Sequence, residues 1–318
     1  MTDPERRAPA ASPTGEQWVI GHGLQTAVVT EMGATLRAYS VGGDDVIDGF
    51  GPDDWSHSGR GQVLAPWPNR LGDGRYEFAG VRAQAPLNEP ETGTAIHGLV
   101  RWLPWRLEAQ SQNRVALVCP LRPTPGYPFS LDLSLEYRLG RSGLVVTAAA
   151  SNPGDQTAPL GLGFHPYLCV GGGAVDTAVL SLPATQRLVL DERGLPTGEV
   201  RPVAGTEYDF TTPRAVGPTR LDTAFTSLER DGDGRAWARL DQPANGRGVD
   251  LWVDDRFSYL MCFTGDSLDD VALRRRSIAV EPMTCPPDAL RSGKEVIVLG
   301  PGQEWSGSWG LGPRSGPA

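Results

Sequence analysis

Residues 18–50, WVIGHGLQTAVVTEMGATLRAYSVGGDDVIDGF, alternate apolar and polar side chains in short bursts, each closed by a turn signal. A period of two is what a half-buried strand requires, because successive side chains leave the backbone on opposite faces. The stretch therefore reads as successive strands, with Gly42-Gly43-Asp44-Asp45 as a hairpin turn. The same grammar recurs in GDGRYEFAGVRAQAP, RVALVCPLR, LDLSLEYRL, GLVVTAAASN, AVLSLPATQRLVLD, RAWARLDQP, GVDLWVDD and FSYLMCFTG. No segment keeps helical spacing over three turns, and no repeat of fixed period is visible. The 40 glycines and 28 prolines are spread among the apolar runs, where they break helices. A mainly β chain folded as a large antiparallel β-sandwich follows.

No linker of biased composition divides the sequence, so one domain is expected over 16–312. A flexible N-terminal tail (1–15) and a frayed, Gly/Pro-rich C-terminal tail (313–318) would flank it. With 39% hydrophobic and 21% charged residues, the composition is that of a water-soluble globule. A formal net charge of −9 works against nucleic acid and anionic membranes as partners and favours a small neutral substrate. MTDPERRAPAASPTGEQ carries no apolar core, so it reads as neither signal peptide nor anchor. Cys119, Cys169, Cys262 and Cys285 are single and far apart, with no metal-ligand spacing, as for free thiols in a reducing cytoplasm. No metal site or cofactor is implied.

Four histidines are present. His22 and His57 sit in settings that suit structural or solvent roles. His97, in TAIHGLVRWLPW, and His165, in PLGLGFHPYL, lie beside glycines or prolines that leave room around an imidazole. On spacing alone, each is either a functional group or a satisfied core histidine. Glu281 ends the apolar run SIAV, and a carboxylate there is costly unless it is hydrogen-bonded or put to use. Pairing with Arg274, Arg275 or Arg276 is the structural alternative. In VLAPWPNRLGDG, Trp67, Asn69 and Arg70 combine an indole, an amide and a guanidinium, groups suited to a sugar's ring face and hydroxyls.

GQVLAPWPNRLGDGRYEFAG, AIHGLVRW, GLGFHPYL, LDTAFTSL and AVEPMTCPPDAL occur in that order. Together they resemble the ordered motifs of the aldose 1-epimerases, the galactose mutarotase-like proteins, over about residues 18–311. The pattern looks closest to a bacterial branch of uncertain sugar. The resemblance implies a β-supersandwich and the interconversion of α and β anomers of a free sugar, without metal or redox carrier. It assigns His165 as catalytic acid and Glu281 as catalytic base, with Asn69, Arg70, His97 and Asp222 binding the sugar. Asp222 could otherwise cap a turn. A late glutamine that some mutarotases use has no evident counterpart in GVDLWVDDRFSYLMCF.

In such a reaction the anomeric hydroxyl loses a proton, the ring oxygen gains one, and the C1–O5 bond opens. The expectation is an ionised Glu281 beside a protonated His165, each favouring the other's charge. Rival readings are an epimerase of a phosphorylated or otherwise modified hexose, for which Arg60, Arg75 and Arg101 are the conceivable anion ligands, and a sugar-binding protein without catalysis. A glycosidase fits less well, since a His and a Glu stand where two carboxylates would be needed. The sugar's identity and the oligomeric state stay open.

Overall fold

A computed structural model describes residues 12–171 and 173–315 of the chain. Among these, the elements are antiparallel strands, one short α-helix (Ala289–Ser292) and three 3-10 turns. The alternation has its expected cause. Leu131–Gly140 buries Leu131, Leu133, Leu135, Tyr137 and Leu139 and leaves the residues between them partly exposed. In the opening stretch, strands Gln17–His22, Gln25–Thr30 and Leu36–Val41 pair in succession. The turn is narrower than expected. Gly42 and Gly43 alone make it, both at positive φ, while Asp44 and Asp45 already pair with Val41 and Ser40.

Two large sheets form the sandwich. One has nine strands, with Leu131–Gly140, Gly143–Ser151, Glu304–Ser315 and Arg247–Val253 adjacent in its centre. The other has eight, ordered Pro196–Pro202, Ala184–Leu190, Asp222–Leu228, Tyr259–Phe263, Ile278–Met283, Gly163–Phe164 and Val63–Leu64, with Tyr167–Leu168 also paired to Ile278–Met283. Their inner faces meet in one core, where Phe164 of the eight-stranded sheet lies 5.1 Å from Trp309 of the nine-stranded one.

Strand Ile278–Met283 is buried at every position. Ile278 and Val280 enter the main core, whereas Met283 joins Leu188, Ala224, Tyr259 and Met261 in a smaller cluster. Strand periodicity puts Glu281 on the face of Met283, away from the sandwich interior. The register pairs Met261 with Glu281, Phe263 with Ala279 and Asp222 with Phe263, so Asp222 and Glu281 share that face.

Both expected tail boundaries shift. Thr14 is buried and accepts from Met32 N, and the Gln17 amide donates to the Thr14 hydroxyl, so the packed chain begins before residue 16. Residues 1–11 and 316–318 lie outside the described residues. At the other end, the strand continues through Pro313 and Arg314 to Ser315 instead of fraying at 313. Gly143–Ser151 pairs with this strand only as far as Leu311, so Pro313 meets a neighbour on one side alone and its missing N–H is tolerated. Among the described residues, no helix is long and apolar enough to cross a membrane.

Candidate active site

His165 is held opposite Glu281 by the sheet itself. The short strands on either side of it both pair with the strand of Glu281, Gly163 opposite Met283 and Tyr167 opposite Ala279. Between them, His165 N donates to Gln62 O at 3.1 Å and its carbonyl accepts from Gly61 N at 2.9 Å. The side chains then meet, His165 Nε2 lying 3.3 Å from Glu281 Oε1. Both are almost wholly buried, at 5% and 2% exposure, which decides their protonation.

Burial lifts the Glu281 carboxyl well above the usual carboxylate range, with Asp222 adding to the rise and Arg70 opposing it. Burial also pushes the His165 imidazole down to about 3, and the cations Arg60 and Arg101 lower it further. Both shifts run against the expected resting ion pair. Burial disfavours charge on each partner, and the direction of both shifts favours a neutral pair. The His165 ring is fixed from behind by Tyr167, stacked at 5.0 Å and 16°, whose hydroxyl donates to Ser58 O. Arg60 also lies over the Tyr167 ring at 4.3 Å and is paired with Asp48.

The pair lies in a cavity of about 380 Å³ that is also lined by Asn69, Arg70, His97, Arg101 and Asp222, a size suited to a small molecule. Asn69 and His97 face one another on adjoining strand ends, both at positive φ. His97 Nδ1 accepts from Asn69 N at 3.2 Å, so the neutral ring carries its proton on Nε2. Burial lowers His97 well below the ordinary imidazole value, and His165, Arg101 and Arg70 lower it further. It is thus a neutral hydrogen-bond donor. Arg70 is clamped by two bonds to Glu89, at 2.8 and 2.9 Å, and Asp222 lies 3.6 Å away at the rim. Burial raises the Asp222 carboxyl, and Arg70 partly offsets the rise.

The cavity thus gathers His165, Glu281, Asn69, Arg70, His97 and Asp222, but not Trp67. Trp67 is 3% exposed, packs in the main core and donates its indole N–H to Ala95 O. Its neighbour Pro68 and the left-handed Asn69 turn the chain, so indole and amide leave in different directions. The alternative partners of Glu281 are engaged elsewhere: Arg275 with Asp176 and Asp266, Arg276 with Asp48, and Arg274 with Leu268 O. Glu89 was missed by the sequence reading. It sits in the polar loop NEPETG, and only its bonds to Arg70, Thr92 and Thr94 mark it. Tyr167 was missed as well, although its place two residues after His165 was a signal. Among the described residues, no group of three His, Cys, Asp or Glu is placed to hold a metal ion.

Gly59 also belongs to the site. A Cβ there would lie 2.6 Å from His165 Cδ2, at a φ of +78° that disfavours side chains. Gly59→Ala is expected to displace the imidazole and lower kcat roughly 10- to 100-fold, as misplacement by about 1 Å does. Steady-state kinetics on a variant of native circular dichroism would check this, and an unchanged kcat would show that the ring tolerates the push.

A buried histidine and glutamic acid 3.3 Å apart in a polar cavity, on the face of a large β-sandwich, make up a site of the kind that can move protons. The family profile described as aldose 1-epimerase matches residues 16–311. The chain is 32% identical to the uncharacterized protein YihR of Escherichia coli (strain K12) over 292 residues, 91% of each chain. It is 25% identical to the galactose mutarotase of Homo sapiens over 330 aligned positions, 93% of each. The GalM/aldose epimerase homologue from C. elegans superposes with a TM-score of 0.83 at 18% identity, covering 95% of this chain and 99% of that one. The chain belongs to the aldose 1-epimerase family, and it is an isomerase.

Proposed function

We propose that the protein interconverts the α and β anomers of an aldohexose with a free anomeric hydroxyl, with His165 and Glu281 as its acid and base. The observation that carries this reading is the 3.3 Å approach of His165 Nε2 to Glu281 Oε1 in a cavity ringed by polar groups. Moving the shared proton from Glu281 to His165 gives a carboxylate and an imidazolium. Glu281 then takes the O1 proton while His165 protonates O5, so the C1–O5 bond breaks and C1 becomes an aldehyde. The pair returns to its neutral form in this step. Burial that disfavours charge makes Glu281 the stronger base and His165 the stronger acid, and so favours opening. Rotation about C1–C2 presents the other face of the carbonyl, and the reverse transfers close the ring. Protons balance within the pair.

Around the reacting centre, His97 Nε2–H donates to the sugar, Arg70 is oriented by Glu89, and Asp222 accepts from hydroxyls at the rim. Similarity to the human galactose mutarotase supports an aldohexose. Purified protein should speed the return of fresh α-D-glucose or α-D-galactose to anomeric equilibrium, read by polarimetry or exchange NMR. Rates equal to buffer across a panel of neutral and acidic aldoses would overturn the reading.

A further inference from the structure

No hydrogen bond orients the His165 imidazole from outside the acid–base pair. Its Nε2 faces Glu281, and its Nδ1 is buried without a partner among the described residues. A histidine that moves protons is commonly oriented by a bond to its second nitrogen, so here the ring plane rests on packing. The Tyr167 ring is stacked on it at 16°, His97 meets it edge-on at 5.2 Å, and Gly59 closes on its rim. Of these contacts, the flat stack with Tyr167 is the one that opposes rotation of the imidazole about Cβ–Cγ.

Tyr167 is itself held by Asp48. Asp48 N donates to Tyr167 O at 2.8 Å, and the Asp48 carboxylate pairs at 3.4 Å with Arg60, whose guanidinium covers the Tyr167 ring. The Tyr167 hydroxyl donates to Ser58 O and Arg60 N to His57 O, so the loop that brings Gly59 to His165 is fastened to the same stack. The carboxylate also accepts from Ser277 Oγ at 2.8 Å and pairs with Arg276, the two residues that precede strand Ile278–Met283. Asp48 therefore joins the element of His165 to the element of Glu281. Asp48 and Arg60 are 8% and 2% exposed, and neither lines the cavity. Arg60 is thus no ligand for an anionic sugar, and Arg75 lies away on an exposed hairpin beside Gln84.

We propose that Asp48 and Arg60 are positioning residues for the proton transfer: the pair holds Tyr167 flat against His165 and ties that stack to the strand of Glu281, so the imidazole keeps its plane and its approach to the carboxyl. This rests on the ring-opening reading above and adds to it two residues outside the cavity lining. A buried ion pair contributes little stability relative to apolar residues of similar volume, and losing one partner is costly because the other stays charged and unpaired. What this pair supplies is placement. A guanidinium suits the task because its planar face stacks on an aromatic ring while its edge reaches a carboxylate.

The test uses Arg60→Met, Asp48→Asn and the double variant, with mutarotation kinetics and NMR of the histidine rings. All three are expected to lower kcat about 10- to 100-fold, the cost of a misplaced reacting group. KM should stay within about twofold of wild type, because no group that meets the sugar has changed. With only four histidines in the chain, the His165 ring signals are identified as those missing from His165→Asn. In the wild type they carry the ring-current shift of the stacked Tyr167, and in the variants they should move downfield. A loss of kcat that reflected only a smaller folded fraction would leave the native signals where they are. A kcat within twofold of wild type, a KM that rises as far as kcat falls, or unmoved ring signals would overturn the proposal. If Asp48→Asn fails to fold, the double variant decides, since it strands no charge beside Tyr167. A wild type inactive on every aldose would overturn the ring-opening reading instead, and the ring signals would then decide on the placement of His165 by themselves.

Discussion

Glu281→Gln is expected to lower kcat by about 10³- to 10⁴-fold and, at the same time, to make the protein more heat-stable above neutral pH. The first effect follows from removing the carboxyl group, 3.3 Å from His165, that is proposed to take the O1 proton, a transfer in the usual range for general base catalysis. The second follows from linkage. Burial raises the folded-state pKa of Glu281 above its unfolded value, so the folded chain holds a proton that the unfolded chain, with its carboxyl near 4.3, releases. The favourable contribution is present below the unfolded pKa and is lost as pH rises. A glutamine of nearly the same shape does not titrate and avoids that loss. Thermal melts of both proteins at pH 4.5 and pH 8 should show the variant's advantage growing with pH. Activity within tenfold of wild type, or an advantage that ignores pH, would rule out Glu281 as the buried general base. Gain of stability on loss of function is the trade expected of a site that holds a buried ionisable group for its chemistry.

Glu281 was legible in the sequence for the same reason that it is strained in the fold. A carboxylate inside an apolar run has no benign position in a strand buried on both faces, as Ile278–Met283 is. The strands were legible because one sandwich face of each must be apolar, whereas His97 and His165 stayed open on spacing alone and were singled out only by the resemblance of the ordered motifs. What the sequence did not yield depends on directions and depths. Trp67 and Asn69 are two residues apart, yet the left-handed backbone at Asn69 sends them to different surroundings. Glu89 is nineteen residues from Arg70, in a loop whose polar composition names no partner. The protonation of His165 and Glu281 depends on burial of both, which no local pattern reports. The strand through Pro313 depends on where a neighbour, Gly143–Ser151, happens to stop.

His165→Asn should lose kcat about as severely as Glu281→Gln, roughly 10³- to 10⁴-fold, because ring opening stalls without a proton for O5. Its stability should respond to pH in the opposite direction. The folded-state imidazole is pushed down to about 3, whereas an unfolded histidine titrates near 6.5. Between those values the unfolded chain binds a proton that the folded chain refuses, so wild-type stability falls as pH drops below about 6.5, while the asparagine variant escapes that loss. Melts at pH 7 and pH 4.5 should therefore show the His165→Asn advantage growing toward acid, where the Glu281→Gln advantage shrinks. Wild-type activity carries the same signature. The pair works only while it holds one proton in total, so its acid limb should lie well below the ordinary imidazole value, and its alkaline limb is set by the raised carboxyl. An acid limb at about 6.5 would mean that His165 titrates as an exposed histidine does, and the one-proton pair would have to be abandoned.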